Sequence, residues 1–142
     1  MRDRIFIDTN ILIYMYSEEE EKKKKSIEVI RENEKKDILI SVQVLNEFVN
    51  ILKKKFQKEP EDIRNALDEI ESFFIIWDLN IDLIKDALRI NERYRYSYYD
   101  SLIISTALDA GCSLLYSEDM QHKQRIDNAL TILNPFRNSQ EK

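Results

Sequence analysis

Residues 5–14, IFIDTNILIY, set one apolar run (5–7) against a second (11–13), with Asp8, Thr9 and Asn10 between them. The first run reads as a buried strand and the second as the start of a helix. An ionised carboxylate at that junction costs several kcal/mol unless it is paired, hydrogen-bonded or bound to a cation. Helix capping accounts for part of the pattern, because Asp, Thr and Asn all suit an N-cap. What else compensates Asp8 has to come from the rest of the chain.

Working outward, strands are expected at 4–8, 37–41, 73–77, 113–116 and 130–133. They are short apolar runs without clean alternation, the pattern of strands covered on both faces. Helical patterns fill the gaps at roughly 10–16, 20–34, 42–56, 60–71, 80–93 and 98–110. Within the third, Leu45, Phe48, Val49, Leu52 and Phe56 form one apolar stripe. Pro60 suits the first turn of the fourth helix, and Gly111, the chain's single glycine, suits the end of the sixth. Alternating strands and helices imply an α/β layer fold around a mainly parallel sheet of about four to five strands. No linker or repeat divides the 142 residues, so one domain over 1–142 is expected, with its core at about 4–136 and a short polar tail.

Composition narrows the function. Hydrophobic residues at 43% and charged residues at 35% describe a globular chain. No apolar run approaches the roughly eighteen residues of a membrane span, and residues 1–10 lack the features of a signal peptide. A cytoplasmic protein is the simplest expectation. A single cysteine, Cys112, and a single histidine, His122, exclude an internal disulfide and a cysteine-rich zinc site. The net charge of −5 argues against a nucleic-acid partner unless several carboxylates surround divalent cations. Basic clusters at 22–25, 53–58 and 89–95 are either solvated helix faces or phosphate contacts.

Of four acidic positions, three (Asp8, Glu47 and Asp119) fall where a parallel sheet builds its sites, at the carboxyl ends of strands or on the helix directly after one. Asp8 ends the first strand. Glu47, in SVQVLNEFVN, lies on the helix after the second, roughly opposite its main apolar stripe. Asp100, in YSYYDSLIISTAL, opens a strongly apolar helix, and Ser97 three residues earlier makes a capping box an equal reading. Asp119, in LLYSEDM, follows the fourth strand; Glu118 competes with it, and spacing does not choose between them. Gathered together, such carboxylates need a hard, oxygen-preferring cation, Mg²⁺ or Mn²⁺. An acidic cage with open coordination positions is the setting of metal-assisted phosphodiester hydrolysis.

FIDTNILIY, SVQVLNEFVNIL, YYDSLIISTAL and LLYSEDMQH, in this order, resemble the PIN domain family over essentially the whole chain. The compact size resembles the toxin subunits of VapBC-type toxin–antitoxin pairs. The resemblance implies a three-layer PIN-like fold and a Mg²⁺- or Mn²⁺-dependent endoribonuclease. It also implies products with 5′-phosphate and 3′-hydroxyl ends, a homodimer and an inhibitory antitoxin protein. It carries the ligand and catalytic roles onto Asp8, Glu47, Asp100 and Asp119, the last favoured over Glu118 by its Ser-x-Asp setting. Thr9, Asn10, Ser101 and Ser117 are then expected to orient the ligands. Lys53, Lys54, Lys55, Arg93 and Arg95, with Arg89, are expected to line the RNA approach, and Tyr94, Tyr96, Tyr98 or Tyr99 to stack on an unpaired base. The antitoxin groove is expected at Ile11, Tyr14, Met15, Leu45 and Val49. One departure is Lys123, where many relatives carry glycine after the histidine.

Two rivals remain. A PIN-like RNA-binding or assembly module without catalysis would not require all four acids. A phosphoryl-transfer enzyme of the haloacid-dehalogenase type would want a second acid two residues after Asp8, where this chain has Asn10.

Overall fold

A computed structural model describes residues 2–137; the end of the expected polar tail, 138–142, lies outside the described residues. The chain runs β1 (Arg4–Ile7), α1 (Thr9–Met15), α2 (Glu20–Glu32), β2 (Asp37–Ser41), α3 (Val42–Lys54), α4 (Pro60–Phe73) and β3 (Ile75–Trp77). It continues through α5 (Ile81–Tyr94), α6 (Tyr98–Asp109), β4 (Leu114–Tyr116), β5 (Arg125–Ile126) and β6 (Leu130–Leu133). The strands form one sheet in the order β3-β2-β1-β4-β6-β5. Every pairing is parallel except the last, in which β5 runs antiparallel to β6.

The central strands are the apolar runs of the sequence. Ile5 pairs with Ile38 on one side and Leu114 on the other, and Phe6 with Leu39 and Leu115. Ile5, Phe6, Ile7, Leu39, Ile40 and Leu115 are wholly buried, because helices cover the sheet. Helix α6 is buried from Ser101 through Ala107, which explains a sequence apolar around its whole circumference. Two of its three buried hydroxyls bond main-chain carbonyls at short range: Ser105 Oγ donates to the Leu83 carbonyl at 2.9 Å and Thr106 Oγ1 to the Leu102 carbonyl at 2.7 Å.

The structure departs from the sequence reading in three places. The sheet has six strands rather than four or five. The extra strand, β5, is only two residues long and forms a hairpin with β6. Asp127 and Asn128 turn that hairpin with φ of 51° and 53°, the left-handed conformation that short hairpin loops use and that Asp and Asn tolerate. The strand expected from residue 73 starts at Ile75, because α4 continues through Phe73. Phe73 stays exposed while Phe74 is buried, the two rings meeting edge to face at 5.0 Å. Helix α3 ends at Lys54, so Lys55 and Phe56 lie past its last turn.

Strand order reverses between β1 and β4: β2 and β3 follow on one side, β6 and β5 on the other. The crevice at the carboxyl ends of β1 and β4 is the topological switch point, where open α/β sheets bind ligands. Asp8 follows β1 there, and Ser117, Glu118 and Asp119 follow β4.

Candidate active site

Asp8 is both a cap and a buried acid. Its Oδ1 accepts the Thr9 N–H at 2.7 Å, closing the N-terminus of α1, and its Oδ2 accepts the Ser117 hydroxyl at 2.8 Å. Only 8% of the residue is exposed. Burial pushes its pKa from 3.8 up to about 6, against the lowering effect of those two donors and with the charges of Asp100 and Glu47 adding to the rise. Asp100 is raised in the same direction, first by burial and then by the charges of Asp119 and Glu47, while its hydrogen bond to Ser97 works against the shift. Asp100 therefore lies within electrostatic reach of Asp8, Glu47 and Asp119, and Asp8 within reach of Asp100 and Glu47.

Each acid has a fixed neighbour. Thr9 Oγ1 donates to Glu47 Oε2 at 2.5 Å, and Gln43 Nε2 donates to Glu47 Oε1 at 3.0 Å. The same Gln43 amide donates to the Tyr99 carbonyl at 3.0 Å, tying α3 to the first turn of α6 beside Asp100. Ser97 caps α6 by accepting the Asp100 N–H at 3.2 Å. Asn10 Nδ2 donates to Asp119 Oδ2 at 2.9 Å. Sequence reasoning missed Gln43; its signal was the i−4 position relative to Glu47, which places both on one helix face.

Glu118 and Asp119 part company here. Glu118 turns to Lys22, whose Nζ lies 2.5 Å from Oε2, and to Tyr14, whose hydroxyl donates to Oε1 at 2.6 Å. Asp119 instead faces Asn10 and influences Asp100. Ser101 departs from the expected orienting role: its hydroxyl meets the Tyr96 carbonyl at 3.5 Å, inside α6 packing rather than on a carboxylate. Thr9, Asn10 and Ser117 do touch the acids.

The basic residues divide. Lys53 and Lys54 are exposed in the last turn of α3, where they also complement its dipole. Lys55 lies beyond them with its ammonium 5.8 Å from the Phe56 ring. Arg89 pairs with Asp86 at 2.7 Å and Asp127 at 2.6 Å, and Arg93 reaches Asp127 at 3.9 Å. These two arginines fasten the β5–β6 hairpin to α5, a partner invisible in a sequence where Asp127 lies more than thirty residues away. Arg95 is exposed at the C-cap of α5 with φ of 67°. Tyr94 bonds Asp127, and Tyr96 bonds Gln124 and the Gln121 N–H, whereas Tyr99 stands exposed with its ring edge-on to Tyr98. In the groove expected on α1, Ile11 is wholly buried in the core. The open surface runs instead along Asn10, Ile13 and Tyr14 of α1 to Ile51, Lys55 and Phe56, a cavity of about 300 Å³.

The donor chemistry, though not the spacing of the side chains, suits a hard cation. Every candidate ligand is a carboxylate oxygen, Asp8 is buried with its charge penalised, and the ion pairs of the described residues engage Asp37, Asp86, Glu118 and Asp127 instead. His122 is turned elsewhere, its Nδ1 accepting the Asn134 N–H at 2.9 Å. Among the described residues no three acids, histidines or cysteines are drawn together at ligand distance. Glu47 and Asp119 are held by Thr9, Gln43 and Asn10. Lys123, in place of the glycine, adopts φ of 68° and keeps the loop after Asp119 closed through its N–H to the Ile132 carbonyl.

The PIN domain family model matches residues 5–127. The chain belongs to the PIN domain family. No curated protein sequence matches it. Among solved structures, it resembles a toxin–antitoxin complex from Klebsiella pneumoniae with a TM-score of 0.69 at 21% identity, over 94% of this chain and 99% of the other. DNA-bound VapBC from Salmonella typhimurium gives 0.68 at 20% identity, over 92% and 96% of the two chains. The Mycobacterium tuberculosis toxin VapC20, described as cleaving the sarcin–ricin loop, gives 0.64 at 16% identity over 78% and 86%. At such identities the likeness establishes the fold. No helix of the described residues is long and apolar enough to cross a membrane.

The raised pKa of Asp8 has a measurable consequence. Between about pH 4 and pH 6 the unfolded chain loses this proton while the folded chain keeps it, so stability falls over that window. Above pH 6 the displacement from 3.8 to about 6 corresponds to about 3 kcal/mol of destabilisation in metal-free protein. Asp8→Asn is expected to raise the melting temperature at pH 7 in chelator and to flatten the fall between pH 4 and 6. Thermal denaturation followed by circular dichroism across that range checks it; a variant as pH-sensitive as wild type would reject the assignment.

Proposed function

We propose that this PIN domain is a divalent-cation-dependent endoribonuclease acting as the toxin of a type II toxin–antitoxin pair. The observation that carries the reading is Asp8: a buried acid, penalised by burial, electrostatically coupled to Glu47 and Asp100 at the β1/β4 switch point. Asp8, Glu47, Asp100 and Asp119 would hold Mg²⁺ or Mn²⁺. When bound, such a cation supplies Lewis-acid activation of the phosphodiester and of the attacking water. The protein's share is positioning. Thr9 and Gln43 aim Glu47, Asn10 aims Asp119, and Ser117 with the α1 N-terminus aims Asp8. Outer groups of this kind fix ligand orientation and basicity.

The RNA backbone approaches along Lys53, Lys54 and Lys55 past the end of α3 and Arg95 at the end of α5, with Arg93 retaining most of its exposure beside them. Tyr99 is the tyrosine left free to stack on an unpaired base. The groove from Asn10 and Tyr14 to Phe56 receives a segment of the antitoxin, as apolar helices and strands do in such grooves. A second copy covers the apolar stripe Ile81, Ile84 and Leu88, which α5 exposes at i, i+3 and i+7. The likeness to VapBC complexes supports the antitoxin partner, and the composition supports a cytoplasmic location. That no three acids, histidines or cysteines of the described residues lie at ligand distance favours the rival of an RNA-binding or assembly module, and cleavage separates the two.

With mixed RNA and Mg²⁺, Asp8→Asn and Asp100→Asn are expected to abolish cleavage with the fold intact, Glu47→Gln and Asp119→Asn to weaken its cation dependence, and Thr9→Ala to lower turnover about 10- to 100-fold. Wild-type turnover in both aspartate variants would overturn the site. Replacing Lys53, Lys54 and Lys55 by alanine is expected to raise KM and to reduce the slope of log KM against log salt by about 0.7 for each phosphate that is no longer neutralised. An unchanged slope would remove this patch from the RNA path.

A further inference from the structure

Glu118 directly precedes Asp119 in the chain, but its carboxylate is engaged by other partners. Lys22, from the first turns of α2, lies 2.5 Å from its Oε2 and 3.0 Å from the Tyr14 hydroxyl, while that hydroxyl donates to Oε1 at 2.6 Å. The three polar groups close a ring across α1, α2 and the segment after β4. Two aromatic faces back it: the ammonium lies 4.8 Å from the Tyr14 ring centre and 5.5 Å from that of Phe136, and those rings meet edge to face at 5.1 Å. The Lys22 side chain is only one-third exposed and that of Glu118 one-fifth. Partial burial and two partners for each oxygen-bearing group distinguish this ring from an exposed ion pair worth little.

The ring bears on the site through the chain. Ser117 precedes Glu118 and donates to Asp8; Asp119 follows it and accepts from Asn10. Ser117 is further held by its N–H to the Leu133 carbonyl at 2.9 Å, and the Glu118 carbonyl accepts Asn134 Nδ2 at 3.1 Å. Bonds from β6 and the residue after it thus fix one side of the turn, and the side-chain ring fixes the other. Asn10 and Tyr14 lie one turn apart on α1, so one helix holds two consecutive acids by two different bonds. We propose that Lys22 and Tyr14 are positioning residues: by clamping Glu118 they set the turn that presents Asp119 to the cation and keep a fifth carboxylate out of its coordination. The proposal rests on the cation site described above. Lys22, within a run of four lysines, serves this clamp, whereas Lys23 and Lys24 are exposed.

The test pairs residue-resolved amide exchange with Mn²⁺ titration by calorimetry, neither of which needs RNA cleavage. Lys22→Met removes the ion pair; Tyr14→Phe keeps the ring packing and removes only the hydroxyl, so it remains informative if the first variant folds poorly. Both are expected to speed exchange at residues 117–120 and to weaken Mn²⁺ binding, Lys22→Met by about tenfold. In an Asp119→Asn background Lys22→Met should cost no further affinity, because its effect runs through Asp119. Lys22→Arg should restore it. Unchanged exchange at 117–120, unchanged Mn²⁺ affinity, or an equal loss in both backgrounds would each overturn the clamp. Wild-type protein that binds no Mn²⁺, with exchange still altered in the variants, would defeat the cation site while leaving the clamp's hold on the turn intact.

Discussion

The structure depends on one carboxylate placed where charge is expensive. Asp8 ends the central strand, with Ile5, Phe6 and Ile7 wholly buried before it and Ile11 and Leu12 wholly buried after it. It cannot retreat to solvent without unthreading β1 from between β2 and β4. The two hydrogen bonds it accepts lower its pKa, yet burial still prevails and holds it near 6. A protein that only needed to cap α1 had cheaper choices, since Ser or Thr caps as well without a charge. The cost is explained if a cation offsets it.

The surrounding elements make sense as supports for that position. Thr9 joins α1 to Glu47 on α3, Ser117 joins β4 back to Asp8, and Gln43 joins α3 to the start of α6. Capping and function are not alternatives in this molecule. Asp8 caps α1 and Ser97 caps α6, and each cap fixes the backbone from which an acid projects. Sites carried on helix starts directly after strands inherit the rigidity of the sheet, which binding groups require.

Much of this was legible in the sequence. The parallel strands lost their polar alternation because both faces are covered, and that loss identified them. Asp8, Glu47 and Asp119 could be assigned to one sheet edge because strand ends converge there, whereas Asp100, which opens a helix following another helix, joined them only through the family resemblance. What escaped were features decided by tertiary contact. A two-residue strand such as β5 carries no periodicity, and its only trace was the Asp127–Asn128 pair. Glu118 and Asp119 are neighbours of equal chemistry; Lys22, almost a hundred residues away, separates their roles. Arg89 read as a substrate contact until Asp86 and Asp127 appear beside it. Ser101 read as an orienting hydroxyl because it follows Asp100, but helical geometry turns it towards the Tyr96 carbonyl instead.

Proton release on cation binding tests the central claim most directly. Calorimetric titration of Mn²⁺ in buffers of different ionisation enthalpy measures the protons displaced. With Asp8 at about 6, the account predicts release of at least about half a proton at pH 6, close to none at pH 8, and loss of the Asp8 share in Asp8→Asn. Binding with no pH-dependent release, or no binding at all, would contradict it.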